Sequence, residues 1–165
     1  MVKTLSRLII FVLLAGVAFL GYRHFVPNEE TRIRETLSGL AKSVSIPEKT
    51  SPVTTMMAVD RIRGYLMPDV EVSVELLADG KYAFTGREEL MEAVKASWFR
   101  ARSVKVEFLD IGIRLDGPDT ATSELTVRAT KPGESDFIVQ EFSFRLKKHD
   151  GDWRIAKAES VKALK

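Results

Sequence analysis

At 165 residues, with 45% hydrophobic and 29% charged content, the chain has the make-up of one globular domain plus a short extension, not of a disordered polymer. Its formal charge of +2 is local: Lys3, Arg7 and Arg23 precede residue 28 and no acid does, which leaves 22 basic against 23 acidic residues beyond them. A near-neutral domain offers nucleic acid no electrostatic footing, and the lack of cysteine excludes disulfides, thiol catalysis, a lipidated N-terminal cysteine and cysteine-based metal sites.

The first segment, residues 1–27, reads as a signal anchor. Leu8 to Tyr22 carries no charge, and Leu8, Phe11, Leu14, Phe19 and Tyr22 typify its apolar run. Fifteen residues make a helix of roughly 22 Å, short of the ~30 Å hydrocarbon core. Leu5, Phe25 and Val26 extend it if Arg7 and Arg23 snorkel. A cleaved secretory signal, cut after Ala18, is the competing reading. Lys3, Arg7 and the amino terminus before the run, against Arg23 after it, place residues 28–165 outside the cytoplasm by the positive-inside rule.

Pro27 ends this segment. Asn28 is a helix cap followed by Glu29 and Glu30, and the first predicted helix runs to about Ser43 with Ile33, Leu37, Leu40 and Val44 on one stripe. Its Arg32, Arg34 and Glu35 are expected to face water. After a connector broken by Pro47, Ser51-Pro52 opens a second helix carrying Met56, Val59, Ile62 and Leu66, which stops before Pro68. Met56 and Met57 fit either core filling, the expected role, or a flexible binding lip. Val70, Val72, Val74 and Leu76 alternate with polar residues as a strand does, and Asp79-Gly80 turns it back through Tyr82 and Phe84. Thr85, with Glu88 three residues on, is expected to cap a third helix that buries Leu90, Val94 and Trp98.

From Ser103 onward four alternating segments are separated by turn signals, an antiparallel meander with one dry face. Phe108, Leu109 and Ile111 cannot share a face, so a β-bulge is expected there, bending the sheet into a concave form. The alternation leaves Thr122, Glu124, Thr126, Arg128 and Ser143 on the polar side, a modest surface for a possible homodimer.

Three phrases in this order carry a resemblance: Tyr65-Leu66-Met67-Pro68-Asp69-Val70, Phe84-Thr85-Gly86-Arg87-Glu88-Glu89-Leu90, and the closing hairpin from Phe144 to Ile155 with its Asp150-Gly151-Asp152-Trp153 turn. Over Glu29 to Glu159 the chain resembles the SnoaL-like group of the nuclear transport factor 2-like superfamily. The resemblance implies an α+β fold, a cone-like curved antiparallel sheet packed on about three helices. It also implies a pocket at the open end of the cone, lined here by Tyr65, Phe84, Trp98 and Trp153. The superfamily includes enzymes, ligand binders and assembly modules, so the likeness does not choose among them.

The residues supply little acid–base chemistry. His24 lies beside the apolar segment and His149 in a hairpin turn, and two remote histidines without cysteine make no metal constellation. Asp69, Glu71, Glu107, Glu124, Glu141 and Glu159 are the carboxylates to weigh as inward-facing bases; the phase of Glu141 puts it outside, in a cross-strand ion pair. No catalytic residue, metal or cofactor is assigned. The expected role is a membrane-anchored, extracytoplasmic interaction domain with a protein partner at the membrane. The alternatives are binding of a small apolar ligand or lipid in the cone, and third an acid–base enzyme of the isomerase type.

Overall fold

The computed structural model describes residues 28–47, 51–76, 80–100, 103–133 and 137–161. The segment expected to anchor the chain, residues 1–27, lies outside them; among the described residues no helix is long and apolar enough to cross a membrane. Among the described residues three helices and six strands follow one another: α1 (Glu29–Val44), α2 (Pro52–Gly64), β1 (Leu66–Leu76), β2 (Gly80–Thr85), α3 (Arg87–Arg100), β3 (Lys105–Leu115), β4 (Thr120–Thr130), β5 (Phe137–His149) and β6 (Asp152–Ser160). The strands form one sheet in the order β2-β1-β6-β5-β4-β3, antiparallel except where β1 meets β6.

The α1 stripe is as its spacing requires. Ile33 and Leu37 are fully buried, Leu40 nearly so, and Val44 packs at their edge. Asn28 caps the helix through its side chain, which accepts the Glu30 N–H. Against this stripe lies the inner face of the sheet. Ala121, Ser123 and Leu125 of β4, Phe144 and Leu146 of β5, and Trp153, Ile155 and Ala158 of β6 are all buried. Each of the larger ones, Leu125, Phe144, Leu146 and Ile155, removes apolar area worth roughly 1.5–3 kcal/mol.

The expected bulge is present. Leu109 pairs with Thr126 and Gly112 with Glu124, so Asp110 and Ile111 together oppose Leu125, and Asp110 takes a φ of 52°. A second irregularity leaves Ala156 unopposed between Ile155 and Lys157 on β6. Two bulges in adjoining regions of one sheet increase its local twist and bend it around α1. The β5–β6 connection is a two-residue turn in which Asp150 and Gly151 both have positive φ, the form whose twist matches that of the flanking strands.

Three local expectations change. Helix α2 ends at Gly64, with Tyr65 as its C-cap, and Leu66 begins β1 opposite Ile155. The buried stripe of α2 is Val59 and Ile62, and Met56 projects roughly 60° from the first and 120° from the second, so Met56 and Met57 lie outside the core. The capping glutamate of α3 is Glu89, whose Oε2 accepts the Thr85 N–H at 2.9 Å, because Gly86 takes the residue before the helix with φ 91°. Glu88 instead receives both terminal nitrogens of Arg63, at 2.7 and 2.9 Å, and ties α2 to α3.

Candidate functional site

The domain has two distinct ends. At one, α1 begins beside the turns that join β3 to β4 and β5 to β6. The Trp153 indole N–H donates to Glu29 Oε2 at 2.6 Å, Lys148 Nζ lies 3.1 Å from Glu29 Oε1, and Arg32 Nη2 donates to the Gly151 carbonyl at 2.6 Å. Lys148 Nζ also stands 5.2 Å from the Trp153 ring centroid. Burial of Glu29 by itself would raise its carboxyl pKa; the indole N–H and the Lys148 ammonium outweigh it and hold the group below the usual carboxylate value. This cluster fastens the first turn of α1, the point where residues 1–27 join the domain.

Beside it lies an open cleft of about 300 Å³, lined by Arg32, Glu35, Thr36, Gly64, Tyr65, Asp152 and Trp153. Of the four aromatic residues named from the sequence, the structure brings Tyr65 and Trp153 together here. Trp98 is buried in the core against the same apolar cluster, and Phe84 pairs across β1 with Val72 on the inner face of β2; neither lines this cleft. The Tyr65 ring packs on α1 at Gly39, where the absence of a side chain makes room for it.

At the other end α1 finishes, and the bridge between Ile46 and Val104 leads into β3. Val106 N–H donates to the Ser45 hydroxyl there at 2.9 Å. Strand β5 begins at this end with Phe137, Ile138 and Val139, and α2 sets out from it with Val53, Met56 and Met57; all six are exposed, Met56 at 74% and Ile138 at 63%. Ile138 pairs with Ala129 and lies on the inner face of the sheet, yet it is exposed. Behind it the half-buried Phe108, Val127 and Phe142 lead to the buried Phe144, with edge-to-face ring contacts at 5.7 and 5.9 Å. Of the β5 residues, Ile138 lies on the inner face, while Phe137 and Val139 lie on the outer one, where the Arg128 guanidinium stands 5.3 Å from the Phe137 ring centroid. Consecutive apolar residues 137–139, which alternate strand geometry cannot bury together, are the signal in the sequence that points to this exposure.

The carboxylates weighed as bases take other positions. Asp69, Glu71, Glu124, Glu141 and Glu159 are exposed. Glu107 is half-buried and pairs with Lys105 at 2.6 Å; that hydrogen bond outweighs the effect of burial and lowers its pKa. Glu141 stands opposite Thr126, not opposite a cation, because the cross-strand register pairs Arg128 with Val139. Asp110, Glu124, Thr126, Glu141 and Val161 border a second open cleft of about 360 Å³. His149 is partly exposed beside Asp150 at 3.4 Å, and His24 lies outside the described residues. Among the described residues no group of three acidic, histidine or cysteine side chains is placed to hold a metal ion.

No family model matches the chain, and no curated protein matches it. Solved structures do. A nuclear transport factor 2-like protein of unknown function from Pseudomonas putida superposes with a TM-score of 0.66 at 12% identity, covering 83% of this chain and 88% of that one. A candidate scytalone dehydratase from Novosphingobium aromaticivorans gives 0.64 at 16% identity, with 82% and 85% covered. A protein of unknown function from Mycobacterium tuberculosis gives 0.63 at 22% identity, with 82% and 72% covered. These likenesses show that the chain has the nuclear transport factor 2-like fold.

Proposed function

We propose that the chain is a tethered interaction module: residues 1–27 anchor it in a membrane, and the domain, on the extracytoplasmic side, binds a neighbouring protein through exposed apolar side chains. The observation that carries this reading is their exposure. Six apolar side chains are exposed, Val53, Met56 and Met57 in the first half of α2 and Phe137, Ile138 and Val139 at the start of β5. Large apolar side chains left exposed in clusters mark association sites. Methionine pairs adapt to varied partners. Tethering confines the domain to the membrane plane and raises its effective concentration for neighbours there. The Glu29–Trp153–Lys148 cluster holds the first turn of α1, next to residue 28, against β5 and β6.

The test is a photo-crosslinking residue placed at Met57 of the full chain in its own membrane, with one at Lys95 as control. A discrete crosslinked protein at Met57, absent at Lys95 and abolished by Ile138→Asp, is the expected result. Equal crosslinking at both positions sinks the reading. A reporter fused at Lys165 that is active only in the cytoplasm overturns the topology.

A second reading, an apolar ligand held in the cone, is favoured by the continuity from exposed Ile138 through Phe108, Val127 and Phe142 to Phe144. Pockets for small apolar molecules have this graded lining. Native mass spectrometry of the full chain released from detergent distinguishes the two. A stoichiometric small adduct lost on denaturation favours the ligand, and its absence favours the module.

A further inference from the structure

The edge of a sheet presents backbone N–H and C=O groups that pair with any extended chain able to reach them, and proteins blunt such edges with charges, bulges, short strands or covering elements. Both outermost strands here are blunted. On β3 the Ile46–Val104 bridge covers the approach, the Ser45 hydroxyl accepts the Val106 N–H at 2.9 Å, and Arg34 Nη2 donates to the Ile111 carbonyl at 3.3 Å. The bulge at Asp110 interrupts the same edge. Strand β2 is only six residues long, carries Lys81, and has its Thr85 N–H taken by Glu89.

A third edge lies within the sheet and has no such guard. Strand β6 pairs with β5 only as far as Ser160 opposite Phe142. Residues 137–140 therefore have β4 on one side and, among the described residues, no strand on the other. The ladder is closed where β6 stops: Val161 N–H donates to the Glu141 carbonyl at 2.8 Å, and the Gln140 side-chain amide donates to the Val161 carbonyl at 2.8 Å. Across the gap, Ser160 Oγ accepts the Glu75 N–H of β1 at 2.8 Å. Since Glu141 turns its backbone groups toward β6, the two-residue period of a strand turns those of Val139 and Phe137 the same way, into the gap. The side chains here, Phe137, Ile138 and Val139, are apolar and exposed, with no charge, proline or bulge among them.

We propose that the partner of the interaction module binds by strand addition at this gap: an extended segment that alternates apolar and acidic residues lies beside residues 137–140, in line with β6 and antiparallel to β5. The proposal rests on the module reading and names what its partner brings. Phe137 and Val139 supply the incoming backbone with two donors and two acceptors, the source of affinity in strand addition, while alternate side chains set specificity. On the inner face the added strand meets Ile138 and the apolar surface behind it, which calls for apolar residues. On the outer face it meets Phe137, Val139 and the Arg128 guanidinium, 5.3 Å from the Phe137 ring centroid. Among the described residues Arg128 makes no ion pair within 4.0 Å, and its Nε is buried without a hydrogen-bond partner. Glu107, opposite it on β3, bonds Lys105 at 2.6 Å instead. A carboxylate on the outer side of a strand ~4.8 Å beyond β5 comes within reach of this guanidinium and would form a charge-assisted hydrogen bond with it.

The test is fluorescence anisotropy of a short labelled peptide that alternates valine and glutamate, added to the full chain in mild detergent. Saturable binding is expected. Methylating the glutamate backbone nitrogens, which face β5 when the glutamates point outward, is expected to weaken binding at least tenfold with every charge kept. Lysine in place of glutamate is expected to do the same, and Arg128→Gln to remove the preference for glutamate over glutamine. Val139→Pro deletes an N–H that points away from β4, so the chain is expected to stay folded by circular dichroism while binding falls at least tenfold. Removal of residues 162–165, which follow β6 along the chain, is expected to leave binding as strong or stronger. Absence of saturable binding, equal binding of the methylated peptide, or weaker binding by the shortened chain would each overturn strand addition. The module reading fails separately. A Met57 crosslink that survives Val139→Pro overturns strand addition and leaves the module standing, whereas peptide binding without any Met57 crosslink supports the open edge and removes the module.

Discussion

Gly39 and Tyr65 allow a prediction whose sign depends on one contact. Gly39 lies in the middle of α1, where replacing glycine by alanine ordinarily stabilises a helix by about 1 kcal/mol. Here a methyl carbon at Gly39 would stand 2.9 Å from Tyr65 Cζ and 3.1 Å from Cε1, and closer still to the phenol oxygen. The ring cannot retreat by moving its backbone. Tyr65 N–H donates to the Ile62 carbonyl at 3.0 Å, and the Tyr65 carbonyl accepts the Ile155 N–H at 2.8 Å. The side chain must therefore rotate into the cleft it lines with Trp153, at an overpacking cost of about 1–3 kcal/mol. Gly39→Ala is thus expected to leave stability unchanged or lower it by up to about 2 kcal/mol, the cost offset in part by helix propensity. In a Tyr65→Ala background the same substitution is expected to stabilise by about 1 kcal/mol, because the obstacle is gone. Urea titration of the full chain and the three variants in mild detergent, followed by tryptophan fluorescence, completes the cycle. Equal stabilisation by Gly39→Ala in both backgrounds would refute the reasoning.

Two further predictions concern the start of α1 and the core. The Glu29 carboxyl is held below its usual pKa in the folded chain, so its contribution is fully present above the ordinary carboxylate range and is lost as pH falls through the folded value. Wild type is therefore expected to lose more stability than Glu29→Gln between about pH 5 and pH 3, measured by urea midpoints across that range; parallel curves would remove the cluster from the account. Leu37→Ala, at a fully buried site, is expected to cost about 2–5 kcal/mol, whereas Met56→Ala, at a largely exposed one, stays within about 0.5 kcal/mol; similar losses at both would mean Met56 is packed.

Much of the fold is legible in the sequence because its signals are local and mutually consistent. The 4-3-4 spacing of Ile33, Leu37, Leu40 and Val44, the phase slip after Phe108, and the Asp150-Gly151 turn each name a specific piece of geometry, and the structure has all three. The errors sit where tertiary partners decide. Leu66 continues the helical period of Val59 and Ile62, but pairing with Ile155 draws it into a strand. Glu88 has the spacing of a capping residue, yet Arg63 claims it and Glu89 takes the cap. The exposed apolar residues are harder to read. Met56 and Met57 have the composition of core residues, and only the angular position of Val59 and Ile62 on α2 decides that the methionines face outward.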